Sequence, residues 1–579
     1  MKHLSPYFKK YKKEAIIAPL FKMLEACFDL AVPIIVAAII DKGIATGDKT
    51  YIITRFLLLI GMALCGFCCT IVAQFFAAKA ATGTATGLRR ELMAKISAFS
   101  FTELDKAGAS TLVTRMTSDV NQVQEGINRF LRLFLRSPFI VFGAMIMAFT
   151  INAQIAIVFV IAIPVLFAIV FGIMKLTSPM YKTAQQNLDS VTNEVREDLN
   201  GVRVIRAFGR EEVQREKFVE ADKRLYKSQI RVGKAAAWMN PLTYLVINAG
   251  IIAILWLSAG KVNDGVLLSG GVIALINYIS QILVELVKLA NVVIVMGKAG
   301  SCLNRIGEVL DTDPSIKYAE QKTEAKSDDC SVRFENVSLT YAGAGAESLT
   351  DINVDIKRGS TVGIIGGTGS GKSSLVNLIP RFYDATKGSV IVNGKNVKDM
   401  TREELLSSVA IVDQKPLLFS GTIRTNMQWG QPGATDEEIW RALELAQAAE
   451  FVRKKEGGLD EKVSRGGANF SGGQKQRLSI ARALMTKAPI IIFDDSSSAL
   501  DYATDAALRH ALKTLPEGTT VITVSQRTSS IAHADKIIVL DDGKIAGVGT
   551  HDELLTACEV YKEIYDSQTK ANEEGADNE

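Results

Sequence analysis

Residues 366–373 read Gly366-Gly367-Thr368-Gly369-Ser370-Gly371-Lys372-Ser373, which is the spacing of a phosphate-binding loop. The apolar run Thr361–Ile365 before the loop suits a buried strand, and Ser374–Ile379 after it has helical composition. In this strand–loop–helix order, glycines let the backbone wrap around phosphate oxygens with successive N–H groups directed at the negative charge. We therefore expect Lys372 to reach the β- and γ-phosphates of a nucleotide, and the Ser373 hydroxyl to ligate Mg²⁺.

Composition limits the class of protein to which such a loop belongs. A chain of 579 residues predicts two to four structural units. Its 66 basic and 62 acidic residues nearly balance, so nothing indicates a nucleic-acid partner. Hydrophobic residues make up 48% of the chain and are concentrated in its first half, which is unusual for a soluble protein. Seven cysteines without a regular framework favour a reduced environment or membrane burial over disulfides.

Membrane-spanning helices account for the apolar first half. A bilayer-spanning helix needs about 20 mostly apolar residues, and we find six candidates. They are Ala15–Ile40, Ile52–Ala78, Leu133–Thr150, Ile155–Met174, Ala236–Ser258 and Gly271–Met296. The connections that follow the first, third and fifth candidates are short, whereas Ala80–Arg132 and Lys175–Ala235 are long and basic. The positive-inside rule places both long connections and both termini in the cytoplasm.

The long connections are themselves helical in pattern, because apolar residues recur at three- and four-residue intervals in Asp189–Phe208. We therefore expect the spanning helices to continue into the cytoplasm. Two elbows are predicted to contact a cytosolic domain, near Ser110–Asp119 and near Phe208–Val213.

Charged residues occur inside the first candidate span, where Lys22, Glu25 and Asp29 lie at helical spacing. Charge within a membrane is costly and faces a cavity or a partner. Glu25 or Asp29 could contact a cationic substrate, or both could pair with Lys22 near the cytoplasmic end of the helix.

These patterns divide the chain into a transmembrane domain of residues 1–310, a charged linker of residues 311–330, an α/β domain of residues 331–567 and an acidic, disordered tail of residues 568–579. In the α/β domain, Ile490–Phe493 and Thr520–Val524 are apolar runs of buried-strand length. Together with Val362–Ile365 they predict a parallel core sheet with helices on both faces.

Further motifs carry a family resemblance. Phe470-Ser471-Gly472-Gly473-Gln474 (FSGGQ) is close to the LSGGQ signature of ABC-type ATPases, and Ile490–Asp494 (IIIFD) and Ser498–Asp501 (SALD) follow at the expected offsets. Gln414 stands where that family has its loop glutamine. Residues 331–561 thus resemble an ABC nucleotide-binding domain, and the whole chain resembles an ABC exporter half-transporter.

The resemblance implies ATP and Mg²⁺ as cofactors. Ser373 and Gln414 would ligate the metal directly, while Asp494 would hold it through water, a ligand set that suits Mg²⁺. Tyr341 matches the aromatic residue that stacks on adenine. The residues expected to hold nucleotide are Tyr341, Gly366, Thr368, Gly369, Ser370, Gly371, Lys372, Ser373, Ser374, Gln414, Ser471, Gly472, Gly473, Gln474 and Asp501.

The resemblance also implies a dimer. Ser471 and Gly473, at a predicted helix N-terminus, would donate hydrogen bonds to the γ-phosphate of a nucleotide held by the opposite subunit. With one ATPase domain and six spans, this chain corresponds to half of a transporter.

Two positions that complete the reaction depart from the family pattern. Asp495 follows the magnesium aspartate, where the family has a glutamate that polarises the attacking water. An aspartate retracts the carboxylate by roughly 1.5 Å, and a displacement of about 1 Å can cost ~10²-fold in rate. Gln526 stands where the family has a switch histidine; glutamine can hydrogen-bond a phosphate but does not take up a proton near neutral pH.

A third departure precedes the signature, where Arg465 replaces an acidic residue that couples motion in related exporters. The signature itself is nearly intact. This asymmetry resembles the degenerate-site subunit of heterodimeric bacterial exporters, and a slower homodimer is the alternative.

The sequence therefore predicts a subunit of an ATP-driven exporter of amphipathic or hydrophobic compounds in the plasma membrane, with its nucleotide-binding domain in the cytoplasm. Its expected partners are a second half-transporter, membrane lipid and a small-molecule substrate. Alternatives are a lipid or peptide exporter, or an ATP-gated channel or regulatory membrane protein with weak turnover.

Overall fold

The computed structural model describes residues 4–322, 329–496 and 499–576. The chain forms two compact units, which are described one at a time. The first consists of Met1–Ser97 and Ser110–Thr312, and the second of Ala98–Ala109 and Asp313–Glu579.

Long helices dominate the part of the chain before residue 312. In chain order the helices are α1 (Ser5–Lys10), α2 (Lys12–Ala38), α3 (Lys49–Ala98), α4 (Phe101–Ala107), α5 (Ala109–Thr114), α6 (Val120–Arg129), α7 (Arg136–Ile151), α8 (Ala153–Ala207), α9 (Glu211–Ala237), α10 (Met239–Asn263) and α11 (Ser269–Asp311). Three short π-helical segments, Ile39–Ile44, Arg115–Asp119 and Phe130–Phe134, continue α2, α5 and α6.

Within the described ranges, six helical stretches are long and apolar enough to cross a membrane, and each contains one of the six candidates from the sequence. They are Lys12–Ile44, Lys49–Ala98, Ala109–Ile151, Ala153–Ala207, Glu211–Asn263 and Ser269–Asp311. Two of these stretches exceed 50 residues, and at 1.5 Å per residue a 50-residue helix is about 75 Å long, far more than the ~30 Å hydrocarbon core. The predicted extension of the spanning helices beyond the membrane is therefore present.

The charges of the first span are paired inside this unit. Lys22 forms an ion pair with Glu25, and Arg136 of α7 lies 2.8 Å from both Asp29 Oδ2 and Glu285 Oε1. Glu285 also accepts hydrogen bonds from Ser137 Oγ and from Lys288. A buried charge is tolerated when it is paired and hydrogen-bonded. The pairing supports a structural role for Glu25 and Asp29.

In the part of the second unit that the structure describes, the chain forms twelve strands and ten further α-helices. The strands are β1 (Cys330–Leu339), β2 (Leu349–Lys357), β3 (Thr361–Gly366), β4 (Lys387–Val392), β5 (Lys395–Asn396), β6 (Val409–Val412), β7 (Gly421–Thr422), β8 (Lys462–Val463), β9 (Ile490–Asp494), β10 (Thr520–Val524), β11 (Lys536–Asp541) and β12 (Lys544–Gly549). The helices are α12 (Lys372–Leu378), α13 (Arg402–Ser408), α14 (Ile423–Met427), α15 (Asp436–Leu445), α16 (Ala449–Arg453), α17 (Gly472–Leu484), α18 (Tyr502–Leu512), α19 (Thr528–Ile531), α20 (His551–Ala557) and α21 (Glu559–Ala576).

The core of this unit is a six-stranded sheet in the order β12-β11-β3-β10-β9-β6. Neighbouring strands pair in parallel except β12, which pairs antiparallel to β11. A second, antiparallel sheet has the order β2-β1-β4-β5. The three apolar runs singled out in the sequence are β3, β10 and β9, and they are adjacent in the sheet.

Both faces of the parallel sheet are covered, which explains why its strands are continuously apolar. Ile490 and Ile492 of β9 pack on the side that carries α12 and the antiparallel sheet. Ile491 and Phe493 of the same strand pack on the opposite side with α15, α17 and α18. Successive side chains of a strand point to opposite faces, so one five-residue strand contributes to two apolar cores.

Helix α4 belongs to the same compact unit as the phosphate loop, although it interrupts the membrane part of the sequence. The Phe101 ring lies 4.5 Å from that of Phe382, and Tyr383 Oη donates to Asp105 Oδ2 at 2.6 Å. Glu103 caps the helix through Ser100 and also accepts from the Ser315 backbone N–H at 3.3 Å.

The first predicted elbow is therefore displaced. The sequence predicts it near Ser110–Asp119, whereas the segment that belongs to the second unit is Ala98–Ala109. The physical reason lies in the partners of Asp119, which is bound by Arg115 and Arg305 within the first unit. The second elbow, near Phe208–Val213, stays a prediction.

The segment predicted as a disordered tail also differs. Helix α21 continues to Ala576, nine residues into the range 568–579. The helix is anchored upstream because Tyr561 is fully buried and Ile564 packs against the same apolar cluster. Residues 577–579 lie outside the described ranges.

Candidate nucleotide-binding site

A cavity of about 580 Å³ opens at the carboxyl end of β3, where the predicted phosphate loop connects to α12. Strand ends, the loop and two glutamines contribute its walls. The predicted residues that line it are Thr368, Gly369, Gly371, Lys372, Ser373, Ser374, Gln414, Asp494, Asp495 and Gln526. The carboxyl ends of parallel strands are where ligands bind in open α/β sheets.

Two glycines of the loop, Gly366 and Gly371, are required by close backbone contacts. A Cβ on Gly366 would lie 2.1 Å from the Leu540 carbonyl oxygen, and one on Gly371 would lie 2.9 Å from that of Ser348. Gly371 also has φ of +95°, a conformation that favours glycine. The neighbouring Ser370 accepts a hydrogen bond on its carbonyl from the Gly543 N–H at 3.3 Å. The loop therefore keeps its shape by packing against two adjacent chain segments.

Lys372 is folded over the loop that precedes it. Its Nζ donates to the carbonyl oxygens of Gly366 at 2.9 Å and Gly367 at 2.6 Å. Burial lowers the pKa of this ammonium, and the nearby Asp495 and Asp494 carboxylates oppose that shift. The ammonium thus lies beside the concave face of the loop, where the phosphates of a nucleotide would be neutralised.

A divalent cation fits the oxygen groups at the base of this cavity. Ser373 Oγ donates to Asp494 Oδ1 at 3.1 Å, which places a hydroxyl and a carboxylate next to each other. Burial raises the pKa of Asp494, the Ser373 hydrogen bond opposes the shift, and the Asp495 charge adds to it. A cation would relieve this repulsion. Gln414 lines the same cavity, and its Oε1 supplies the neutral oxygen of the predicted set.

The two residues that depart from the family pattern are in contact. Asp495 Oδ2 accepts from Gln414 Nε2 at 3.0 Å and from Gln526 Nε2 at 3.2 Å. Asp495 is buried and has φ of +46°, a left-handed conformation that aspartate tolerates. Its backbone N–H donates to Val524 O at 3.0 Å. Both side chains therefore occupy the same corner of the cavity as the loop glutamine.

Tyr341 lies beside the cavity rather than in its wall. Its hydroxyl donates to Ser374 Oγ at 3.0 Å, and its ring contacts Tyr383 edge-on at 4.9 Å between centroids. The ring is only partly buried. The predicted adenine-stacking role of Tyr341 stays a prediction, and its position next to Ser374 is compatible with it.

The signature residues form a separate exposed corner. Ser471 caps α17, because its Oγ accepts from the Gln474 N–H at 3.3 Å while Gln474 Oε1 accepts from the Ser471 N–H at 3.1 Å. Gly472 is exposed, and a Cβ on Gly473 would lie 3.1 Å from the Ala499 carbonyl oxygen. Asp501 caps α18 through Thr504. Among the described residues these four signature positions and Asp501 are not part of the cavity wall.

Two predicted positions need separate mention. Ser498 lies outside the described residues. Arg465 is exposed, in a short turn ahead of α17. Its expected effect on coupling stays a prediction.

Sequence reasoning missed two parts of the cavity wall. The loop Ala344–Ser348 and the turn Asp542–Gly543 both line it. The Asp-Gly pair between two apolar runs is a hairpin signal that could have been recognised. Its position against the phosphate loop could not, because that contact joins residues more than 170 positions apart.

Comparisons with known proteins match this arrangement. Residues 15–286 match the family described as ABC transporter transmembrane region, and residues 349–498 match ABC transporter. An uncharacterized ABC transporter ATP-binding protein of Mycobacterium tuberculosis is 35% identical over 570 residues, covering 98% of this chain and 98% of the relative. The chain belongs to the ABC transporter family.

Other relatives extend the comparison over the whole length of this ABC transporter. The uncharacterized ABC transporter ATP-binding protein YfiB of Bacillus subtilis is 34% identical, with 97% of each chain covered. The ATP-dependent lipid A-core flippase of Vibrio vulnificus is 28% identical, again with 97% of each chain covered. A solved bacterial Atm1-family ABC exporter with ATP bound has the same fold, with a TM-score of 0.79 at 22% identity over 96% of this chain and 98% of that one.

These matches establish the general function. The chain is an ATP-driven ABC exporter half-transporter, and its ATPase is coupled to transport. It is a multi-pass membrane protein with a cytoplasmic nucleotide-binding domain. Six apolar spans joined to an α/β nucleotide-binding domain agree with the predicted fold class. ABC exporters of this architecture act as dimers that bind ATP and substrate.

Proposed function

We propose that this chain is the degenerate-site subunit of a heterodimeric exporter of amphipathic or hydrophobic compounds. Its own phosphate loop holds Mg-ATP, and its FSGGQ signature, residues 470–474, completes the catalytic site of a different partner subunit. The observation that carries the proposal is the pair of substitutions at one chemical step, Asp495 and Gln526, beside an intact phosphate loop.

The surroundings of Asp495 support weak hydrolysis at this site. A general base must lie within hydrogen-bond reach of the proton that it removes. Here one carboxylate oxygen already accepts from two amide groups, those of Gln414 and Gln526. The side chain is also one carbon shorter than glutamate, which withdraws it from the water by roughly 1.5 Å. Because of both effects, the Asp495 carboxylate is poorly placed to polarise the water that attacks the γ-phosphate.

The binding part of the site is retained in full. The loop glycines, Lys372 and the Ser373–Asp494 pair provide backbone N–H groups, a cation and oxygen ligands in one cavity. A bound Mg²⁺ would neutralise phosphate charge and hold the β- and γ-phosphates in place. We therefore propose that ATP binds here and stabilises closure of the dimer, while turnover occurs at the other composite site.

The exposed signature supports donation to a partner. Ser471 presents its hydroxyl and Gly472 its backbone N–H at the N-terminus of α17, a thirteen-residue helix whose dipole favours negative charge. These residues are separated from the cavity of their own chain. A γ-phosphate from a second subunit is the ligand that such a corner would accept.

The paired charges of the membrane unit favour an apolar or amphipathic substrate. Glu25, Asp29 and Glu285 each lie within ion-pair distance of an arginine or lysine. The charge of each of the three carboxylates is therefore already compensated, and none of them needs a cationic substrate as a partner. A lipid is the second candidate, because the lipid A-core flippase is similar over almost the whole chain.

Purification of the native complex tests the heterodimer directly. Mass determination of the intact complex should give two different chains of the half-transporter type. A mass of twice 62.8 kDa would show a homodimer and overturn the proposal. The two substrate classes are separated in vesicles that contain the same complex. ATP-dependent transport of a hydrophobic dye is compared there with ATP-dependent transport of a labelled phospholipid.

A further inference from the structure

The C-terminal helix reaches the switch segment of the candidate site through a single side chain. Gln568, on α21, donates from Nε2 to the Gln526 carbonyl oxygen at 2.7 Å. Its Oε1 accepts from the Thr528 backbone N–H at 2.9 Å and from Thr528 Oγ1 at 2.9 Å. One carboxamide thus binds the chain on both sides of Arg527.

These hydrogen bonds replace a cap that the switch segment lacks. Thr528 is the first residue of α19, and the first N–H groups of a helix have no partner within it. Arg527, at the cap position, supplies no side-chain hydrogen bond. Gln568 satisfies the Thr528 N–H from 40 residues away along the chain. The short helix therefore depends on α21 for its N-terminal hydrogen bond.

The helix that carries Gln568 is firmly anchored. Tyr561 is fully buried, and its hydroxyl lies 2.7 Å from His551 Nδ1. The Tyr561 ring packs in a cluster with Ile365 of β3, the strand that leads into the phosphate loop, and with Val539 of β11. Gln568 lies two helical turns beyond Tyr561 on the same helix, so its position is fixed relative to the core sheet.

We propose that Gln568 is a positioning residue for the γ-phosphate sensor position of this subunit. It holds the Gln526 backbone so that Gln526 Nε2 remains directed at Asp495 and at the space where a γ-phosphate would lie. The connected hydrogen bonds run from Gln568 to Gln526 and from Gln526 to Asp495 Oδ2. A change in α21 thereby alters how tightly the site retains ATP.

The inference rests on the proposed role of this site in holding ATP, and its test separates the two ideas. The native complex, purified from membranes, is loaded in the dark with a photoreactive azido-ATP, chased with unlabelled ATP and irradiated at successive times after the chase. The label that remains on this chain gives the dissociation rate of nucleotide from its own site. The variants are Gln568→Ala, Gln568→Glu, Gln526→Ala and the double variant Gln568→Ala with Gln526→Ala.

We expect Gln568→Ala to accelerate dissociation roughly three- to tenfold, the effect of losing a neutral hydrogen-bonded group. Gln568→Glu keeps the acceptor for Thr528 but loses the donor to Gln526, so its effect should be intermediate. Because Gln568 acts through Gln526, the double variant should match Gln526→Ala alone instead of adding the two effects. Ser567→Ala is the matched control, since the Ser567 side chain is exposed and its hydroxyl donates to Ile564 O in its own helix.

The other possible results each contradict either the positioning role of Gln568 or the proposed ATP-holding role of the site. Faster dissociation in Gln526→Ala but not in Gln568→Ala overturns the positioning role alone. Additive effects in the double variant show that Gln568 acts independently of Gln526, which also overturns it. If Gln526→Ala leaves dissociation unchanged, Gln526 does not contribute to ATP retention and the positioning role fails, whereas a complex in which this chain takes up no label at all would overturn the proposed role of the site in holding ATP. Thr528→Val provides a second route to the same contact if Gln568→Ala reduces the yield of complex.

Discussion

Gln526 Nε2 lies 3.2 Å from Asp495 Oδ2, so the two residues at which this chain departs from the family pattern share a hydrogen bond. Gln526 follows β10 and Asp495 follows β9, and these strands are neighbours in the core sheet. The substitutions are therefore a matched pair in space as well as in sequence. An amide donor and a short carboxylate satisfy each other by this hydrogen bond.

This pairing predicts that Asp495→Ala leaves most of the ATPase activity of the complex intact, with a loss of less than about twofold. Removing the glutamate of the partner's catalytic site should lower turnover by roughly 10²- to 10⁴-fold, the usual contribution of a positioned general base. Steady-state phosphate release from both variant complexes checks the difference. A severe loss in Asp495→Ala would show that the site of this chain is catalytic.

The converse change should restore chemistry. Asp495→Glu combined with Gln526→His lengthens the carboxylate and supplies a proton-accepting imidazole. In a complex whose partner site is inactivated, we expect this double variant to hydrolyse ATP at least about tenfold faster than the chain with Asp495 and Gln526. The single variant Gln526→His is the control. No gain in the double variant would indicate that features other than these two residues limit hydrolysis.

The sequence was sufficient to bring the phosphate loop and the strand ends together as the walls of one cavity, while the role of each residue there stays a prediction. The apolar runs of β3, β9 and β10 are short, bounded by turns and buried on both faces, so their role as neighbouring parallel strands followed from composition. The glycine loop, Gln414, Asp494 and Asp495 then meet because parallel strands end at one edge.

Long-range contacts were not predictable in the same way. The capping box of Ser100 and Glu103 is visible in the sequence, but the packing of Phe101 against Phe382 joins residues 281 positions apart. Gln568 was assigned to a disordered tail because its neighbourhood is polar and charged. The burial of Tyr561, which anchors that helix, depends on the folded core and has no local signature.

Asp494 is predicted to reduce the stability of the nucleotide-free protein. Burial raises its pKa, so the folded state binds the proton more tightly than the unfolded state. The stabilisation from that proton is complete below the unfolded pKa of about 3.9 and is lost as pH rises through the higher folded pKa. At neutral pH the ionised carboxylate is therefore unfavourable.

Asp494→Asn should consequently raise the midpoint temperature of unfolding at pH 7, on the order of 2 °C, while weakening Mg-dependent ATP binding. The gain should shrink as pH falls toward 4. Thermal unfolding of the complex at several pH values, with and without Mg-ATP, measures both effects. Ser525→Ala, at a buried residue directly after β10, is a control for substitution in this region. A lower midpoint for Asp494→Asn at pH 7 would contradict the prediction.

Arg136 is predicted to be essential for the stability of the membrane unit. Its guanidinium lies between Asp29 and Glu285, and Glu285 is almost fully buried. Arg136→Met leaves a buried carboxylate with reduced compensation, which typically costs about 3–5 kcal/mol. Thermal unfolding in lipid nanodiscs should show a marked loss. Arg129→Met is the matched control, because Arg129 and Glu125 form an exposed pair worth about 0–1 kcal/mol.

A second substitution tests the cause of that loss. Glu285→Gln removes the charge that Arg136→Met leaves behind, so the double variant should recover part of the stability. If the double variant is as unstable as the two single losses combined, the arginine contributes through packing and not through charge compensation.

Helix α4 is predicted to couple ATP binding to transport. Its Phe101 ring packs against Phe382, and Tyr383 donates to Asp105 in the unit that carries the phosphate loop. Phe101→Ala removes a large aromatic contact. Truncation of a fully buried phenylalanine lowers the free energy of unfolding by about 3 kcal/mol or more. The loss of stability should be smaller here because the Phe101 ring is partly exposed. We expect basal ATPase to remain within about twofold while ATP-dependent transport falls at least about fivefold, because the packing that carries motion into α3 and α5 is weakened.

The matched control lies in the originally predicted elbow. Val113 of α5 is an exposed apolar residue within Ser110–Asp119, so Val113→Ala should affect neither measurement if Ala98–Ala109 is the coupling segment. Parallel assays of phosphate release and vesicle uptake, made on the same preparation, compare the two variants. Loss of transport in Val113→Ala with normal transport in Phe101→Ala would show that the coupling segment is Ser110–Asp119, as the sequence predicts. Equal loss of ATPase and transport in Phe101→Ala would instead show that α4 stabilises the nucleotide-binding unit without transmitting its motion.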